Sequence, residues 1–146
     1  MERLSEPRWV DEQEWGFGWI APERPQLRLT SHALLAEGGV WVVDPLEGDG
    51  VEGRIRALGE PAGVIQLLDR HTRDCAAFSR KLGVPQHVVP FVGIGPFEAI
   101  PLVQRSHWQE AALWWPERRV LVDALAVTAQ DMLRLEVREP PRRGQP

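Results

Sequence analysis

The chain is poor in several residue types, and each scarcity closes a route. It holds one cysteine, Cys75, so no intramolecular disulfide can form. That suits a reducing compartment, and a cytoplasmic location is expected. Tyrosine and asparagine are absent and lysine occurs only at Lys81. All three use AT-rich codons, so their scarcity reflects base composition of the gene and carries no chemistry. The formal charge of −4 offers no basic face, which argues against nucleic acid as a partner. No apolar run approaches the ~18 residues that a membrane helix needs. The acidic start (Glu2, Glu6, Asp11, Glu12, Glu14) lacks the basic and apolar regions of a secretory signal, so no membrane partner is expected either.

What remains is ordinary for one globular domain: 146 residues, 43% apolar and 26% charged, enough to bury a core. Residues 1–26 are rich in tryptophan and poor in periodicity. Trp9, Trp15, Phe17 and Trp19 are interleaved with glycine and charge. They are expected to form an arm laid over the core, with a partner or dimer surface as the sharper reading, since exposed aromatics anchor interfaces. Residues 136–146, rich in proline and arginine, are expected to be a disordered tail. The main domain is then 27–135.

Within it, the run from Leu27 to Leu35 and the run Val40-Trp41-Val42-Val43 flank Glu37-Gly38-Gly39, a hairpin signal because a tight turn needs positive φ. Asp44-Pro45 stops the second strand. Asp49 and Glu52 have capping-box spacing, and Val51, Ile55 and Leu58 share one helical face up to Gly59. Val64 to Leu68 reads as a buried strand, Asp74 to Leu82 as a helix ended by Gly83, and His87-Val88-Val89 as a short strand. Strand, helix, strand, helix, strand is the pattern of a largely parallel sheet with crossover helices. After Pro96 the pattern is β only, over Phe97–Val103, Glu110–Trp115 and Arg119–Val122, and Val127 to Leu135 reads as a short helix. Adjacent Trp114 and Trp115 must point to opposite faces. His32 and His87 are expected on a strand surface or in the core.

Ligands of open α/β sheets bind beyond the carboxyl ends of the strands. Two polar segments lie there: Asp69-Arg70-His71-Thr72-Arg73-Asp74-Cys75 after the 64–68 strand, and Asp123 after the 119–122 strand. The bland account of the first is a solvated loop with Asp74 as helix N-cap.

Three stretches carry a family resemblance. "LLAEGGVWVVDP" looks like the opening hairpin of metallo-β-lactamase-fold proteins. "GVIQLLDRHTRDCAAFSRKLGVPQHVV" is similar to the segment holding that family's T-H-x-H-x-D-H motif. "EAALWWPERRVLVDAL" resembles the hairpin that ends in its metal-bridging aspartate. They occur in family order over roughly residues 27–126 and imply an α/β fold, sandwich-like in the α+β sense: a metallo-β-lactamase-like fold shortened at its C-terminus.

The motif is degenerate. Aligned on "RDCAA", Asp69 takes the threonine position, Arg70 the first histidine and Thr72 the second. Asp74 matches the aspartate, and Cys75 replaces the last histidine. A shift by one residue would instead place His71 on the second histidine. His107 lies near the third-histidine position, and Asp123 matches the bridging aspartate. The metal donors implied are Asp74, Cys75, His107 and Asp123, with His71 in reserve. Zinc takes about four such N, S or O donors. Arg70 has no lone pair to give, and its charge opposes a divalent cation.

Three readings follow. The first, which the eroded motif favours, is a member of the fold without an intact metal site and without a cofactor. It would act as a binding or structural protein toward an unknown small molecule or protein, and a homo-oligomer is one form this could take. On this reading Arg70 is a structural surrogate for the metal, its guanidinium paired with Asp74, Asp123 or both. The second is a residual hydrolase dependent on zinc or another divalent metal, with Asp74, Cys75, His107 and Asp123 as ligands. The third is a thiol enzyme using Cys75 at a helix start with His71 or His107 as base. No catalytic residue follows from the sequence alone. A shortened sandwich is also expected to leave an apolar face bare.

Overall fold

A computed structural model describes residues 6–21, 30–69 and 72–123, together with the backbone of 134–137. Among them run ten strands and two helices. In chain order these are β1 (Arg8–Gln13), β2 (Gly16–Ile20), β3 (Thr30–Ala36), β4 (Gly39–Val43), α1 (Val51–Leu58), β5 (Glu60–Gln66), α2 (Cys75–Leu82), β6 (Gln86–Val88), β7 (Glu98–Arg105), β8 (Trp108–Trp115), β9 (Val120–Asp123) and β10 (Arg134–Val137).

Strands β1 to β6 form one sheet in sequence order, and β10-β9-β8-β7 form the other. The first sheet is antiparallel from β1 to β4 and parallel from β4 through β5 to β6. Helices α1 and α2 are the two parallel crossovers. The expected β-α-β-α-β stretch and the later β-only stretch are therefore both present.

Alternation along the strands sorts the side chains into two cores. On β3 and β4, Ala33, Val40 and Val42 face the helices, where Val51, Ile55 and Phe78 complete the layer. Leu34 and Val43 face the other way and meet Leu113, Trp115 and Val122 of the second sheet. Most of these side chains are fully enclosed, and each valine, leucine, isoleucine or phenylalanine among them contributes roughly 1.5–3 kcal/mol through burial. Trp115 lies in the core between the sheets, whereas Trp114 packs with Ala112 and Leu121 on the outer face of the second sheet. That outer face is not bare: Trp114 is 6% and Leu121 9% exposed.

Several expectations change. The tryptophan-rich start, expected as an arm laid over the core, is built into the first sheet. Residues 8–20 form a hairpin that pairs with β3, with Phe17 and Trp19 in the helix-facing core. Arg54 of α1 seals it, its guanidinium 4.5 Å from the ring centroids of both Trp9 and Phe17. The capping box does not form. Gly50, at φ 82°, is the N-cap of α1 and no side chain caps it, which moves Glu52 one position off the box. Glu52 pairs instead with Arg56 one turn on, at 3.0 Å. β5 begins at Glu60, because Gly59 and Pro61 disguise its entry. The helix expected over Val127–Leu135 fails at its end, since Arg134 and Leu135 lie in β10 paired with Asp123 and Val122. β10 also carries the domain past the boundary expected at 135, and the remaining tail, 138–146, lies outside the described residues.

Candidate functional site

The site is built where β4 and β5 end and β8 begins. Asp44 follows β4 in a left-handed conformation, φ 48°, and is almost fully enclosed. It is stitched to β5 and to the residue just beyond it: its N–H donates to the Ile65 carbonyl at 2.8 Å, and its Oδ1 accepts from the Leu67 N–H at 3.1 Å. Its own carbonyl accepts the Ser31 hydroxyl at 2.8 Å, and that hydroxyl accepts the Leu46 N–H at 3.1 Å. The sharp exit from β4 is thus fixed by three backbone partners and a buried serine.

Beyond β5 the chain reaches the second sheet. Leu68 bridges to Glu110, the Ala111 N–H donates to the Leu67 carbonyl at 3.0 Å, and the Asp69 N–H donates to the Gln109 carbonyl at 3.0 Å. Asp69 Oδ1 accepts the Gln109 N–H in return, also at 3.0 Å. The residue at the motif's threonine position therefore joins the two sheets.

Arg73 is the next fixed point. Its backbone is left-handed, φ 47°, a conformation uncommon outside glycine. Its Nη1 donates to the Thr30 carbonyl at 3.0 Å and to the Asp44 carbonyl at 2.8 Å. One guanidinium thus spans the start of β3 and the end of β4. Asp74, the N-cap residue of α2, makes no side-chain cap bond. Its Oδ2 accepts the Glu47 N–H at 2.8 Å, and its N–H donates to the Pro45 carbonyl at 3.0 Å.

Cys75 opens α2 on its buried face with no exposed surface. Burial pushes its thiol well above the ordinary cysteine range. The Asp44 and Asp74 charges push the same way, against the smaller opposing pull of Arg73 and the helix-start amide. Position at a helix start does not outweigh enclosure here.

Glu110, on β8, is likewise fully enclosed. Its Oε1 accepts the Trp108 indole N–H at 3.0 Å, while Oε2 has no hydrogen-bond partner. Burial raises its carboxyl above the usual range, the indole bond resists, and the charges of Asp123 and Asp44 add to the rise. Asp44 therefore acts electrostatically on both the Cys75 thiol and Glu110, and Asp123 on Glu110.

Among the described residues the expected donors are not grouped as a set. His107 is exposed on the turn between β7 and β8, and Asp123 is half-buried at the end of β9. Thr72 is exposed, and its carbonyl accepts the Cys75 N–H at 3.2 Å. Arg70 and His71 lie outside the described residues. Among the described residues no three histidine, cysteine or acidic side chains are grouped to hold a metal ion. Sequence reasoning passed over Asp44, Arg73 and Glu110. Asp44 read only as a strand stop, and Arg73 as one charge among many in its loop. The one signal for Glu110 was an acid at the head of an otherwise apolar strand.

Two solved structures similar to this chain are of a metallo-β-lactamase. DIM-1 metallo-β-lactamase superposes with a TM-score of 0.56 at 12% identity, over 82% of this chain and 69% of that one. DIM-1 metallo-β-lactamase exposed to ceftazidime gives 0.50 at 11% identity, over 82% and 70%. The chain therefore has a metallo-β-lactamase-like fold, an α/β sandwich shorter than these neighbours. No protein-family model and no curated protein matches it.

The fold implies a metal, and the described residues are a poor fit for one. Cys75 is enclosed in the helix-facing core with no exposed surface. The Asp74 carboxylate already serves a backbone amide. His107 lies on an exposed turn. Donors so placed support no chemical step through a metal.

Proposed function

We propose that this chain is a non-catalytic member of its fold, a pseudoenzyme that acts as a binding or structural protein. One observation carries this reading: among the described residues at the motif positions, every side chain but that of exposed Thr72 is committed to the chain's own architecture. Asp69 ties the two sheets through Gln109, Asp74 holds the Glu47 amide, and Cys75 is sealed under α2. A ligand that must swing to coordinate an ion or to attack a substrate would first have to break these contacts. The thiol-enzyme reading is disfavoured on the same ground, since a nucleophilic cysteine needs a depressed pKa and access. A lone cysteine, buried, suits the reducing cytoplasm as its compartment. The partner is a protein or small molecule, and self-association is one form of the former.

Metal analysis of the purified full chain tests this. The expected result is far less than one equivalent of zinc, iron or manganese per chain, with no rise in melting temperature when zinc is added in about tenfold excess. Stoichiometric metal that raises the melting temperature would overturn the proposal and favour the residual hydrolase with Asp74, Cys75, His107 and Asp123 around the ion.

A further inference from the structure

At the end of β8 a guanidinium sits between two indoles. Trp15, at the turn between β1 and β2, and Trp115, the last residue of β8, lie with ring centroids 5.5 Å apart and planes at 90°. The Arg118 guanidinium stands over both, 5.6 Å from the Trp15 centroid and 5.5 Å from that of Trp115. Both distances fall within the ~6 Å over which a ring quadrupole attracts a positive charge. The two rings form a prebuilt box. Trp15 is anchored by its carbonyl, which accepts the Leu35 N–H at 2.7 Å. Trp115 is buried, and its indole N–H has no hydrogen-bond partner. Packing alone therefore orients that ring, with Phe97 against it at 5.5 Å and 76°. The occupant is held far less firmly. Arg118 is exposed on the 116–119 turn, and among the described residues no hydrogen bond or ion pair fixes its guanidinium. Arg54 shows the contrast. It too covers two rings, Trp9 and Phe17, but it projects from α1 and is ion-paired with Glu12.

We propose that the Trp15–Trp115 pair is a binding site for an organic cation of the alkylguanidinium class, and that Arg118 is its internal occupant, displaced when such a cation arrives. The class follows from what the box already holds: a planar, weakly hydrated cation that stacks on indole, unlike a compact and strongly hydrated ammonium. The exchange is close to balanced, because the incoming group recovers both ring contacts that Arg118 gives up and no other bond of Arg118 breaks. Two sources share this chemistry, an arginine side chain of a partner protein and a free small molecule. The box lies at the opposite end of β8 from Glu110, so it stands apart from the site described above and does not depend on the non-catalytic reading.

The test is an NMR titration of the full chain carrying isotope-labelled tryptophan, in which each indole N–H gives one signal and Trp15→Phe identifies that of Trp15. In Arg118→Ala, ethylguanidinium should move the Trp15 and Trp115 signals saturably and leave the other indoles in place, with half-saturation at about 1–30 mM, the range open to so small a ligand. The wild type should need about tenfold more, because the resident guanidinium keeps most of the boxes closed. Ethylurea has the same shape without the charge and should move neither signal. Trp15→Leu added to Arg118→Ala should weaken binding by about fivefold or more, through loss of one ring. A blocked glycine-arginine-glycine tripeptide that binds as well as ethylguanidinium assigns the box to a partner's arginine, and binding of ethylguanidinium alone assigns it to a small molecule. No saturation below about 100 mM, movement spread over all the indoles, an equal response to ethylurea, or a wild-type affinity equal to that of Arg118→Ala would each overturn the proposal. If Arg118→Ala does not fold, Arg118→Gln, which keeps a long polar side chain without the charge, carries the same titration.

Discussion

Asp69 and Gln109 are bonded to each other in both directions: the Asp69 amide donates to the Gln109 carbonyl, and the Gln109 amide donates to the Asp69 carboxylate, each at 3.0 Å. A side chain that stands where the resembling family has a threonine thus completes a two-point clasp between the sheets. Asp69→Ala keeps the backbone bond and loses the other. The expected cost is ~1 kcal/mol, or about 3–4 °C in melting temperature for a domain of this size. Asp69→Asn keeps an acceptor at the same place and should lose less than half as much. Equal losses in the two variants would show that the Gln109 amide does not depend on this oxygen.

Glu110 makes stability depend on pH in a defined direction. Its folded-state carboxyl is raised by burial first and by Asp123 and Asp44 next, so the folded chain holds a proton that the unfolded chain releases at lower pH. The contribution is fully present below the ordinary glutamate range and is lost as pH rises through the raised value. Urea unfolding at stepped pH should therefore show stability falling above about pH 4.5 on account of this group. Glu110→Gln should remove that component of the slope. At pH 8 it should raise the melting temperature by about 2–4 °C, since an amide fills the site without a charge to desolvate. A variant as pH-dependent as the wild type would refute this.

The enclosure of Cys75 is directly measurable. An alkylating reagent should modify the native protein more slowly than the urea-unfolded chain by a factor on the order of 10³ or more. The thiol is both covered and protonated, and it reacts only when the structure opens. Native labelling within about tenfold of the unfolded rate would revive Cys75 as a functional thiol.

Gly18 lets His32 of β3 reach Asp11 of β1 across the intervening strand. The His32 Nε2 lies 3.0 Å from Asp11 Oδ2, and a Cβ at Gly18 would come within 2.9 Å of the imidazole and 3.1 Å of the Ser31 carbonyl. Gly18→Ala should cost ~1–3 kcal/mol through overpacking. The shorter side chain of His32→Ala should relieve most of it in the double variant. Additive losses in a double-mutant cycle would show that the two positions do not communicate.

The parts of the fold that the sequence disclosed are those where a local rule acts alone. The β3–β4 turn was legible because Glu37 and Gly38 must take φ values of 52° and 81°. The end of α2 was legible because Gly83 takes φ 68°. The first hairpin was hidden for the opposite reason. The usual alternation of large and polar residues is missing from β2, where Gly16 and Gly18 occupy positions at which a Cβ would meet the Ala33 carbonyl or the His32 ring. Close strand approach erased the hydrophobic pattern that marks a strand. The site was less legible still. The roles of Arg73 and Asp69 depend on carbonyls and amides dozens of residues away, and no motif records a partner supplied by topology.

The clasp around Leu68 and Glu110 also bears on how the molecule opens. Sandwich layers are ordinarily held by side-chain packing alone, which resists separation but tolerates small sliding. Here two main-chain hydrogen bonds cross from one layer to the other at a single corner, Ala111 to Leu67 and Asp69 to Gln109, and together they make the Leu68–Glu110 bridge. A seam of that kind fixes the register between layers, so neither can shear while the other stays native. Deuterium exchange at the Ala111 amide should then require the loss of both sheets together and report the global opening free energy, although this amide belongs to the smaller sheet.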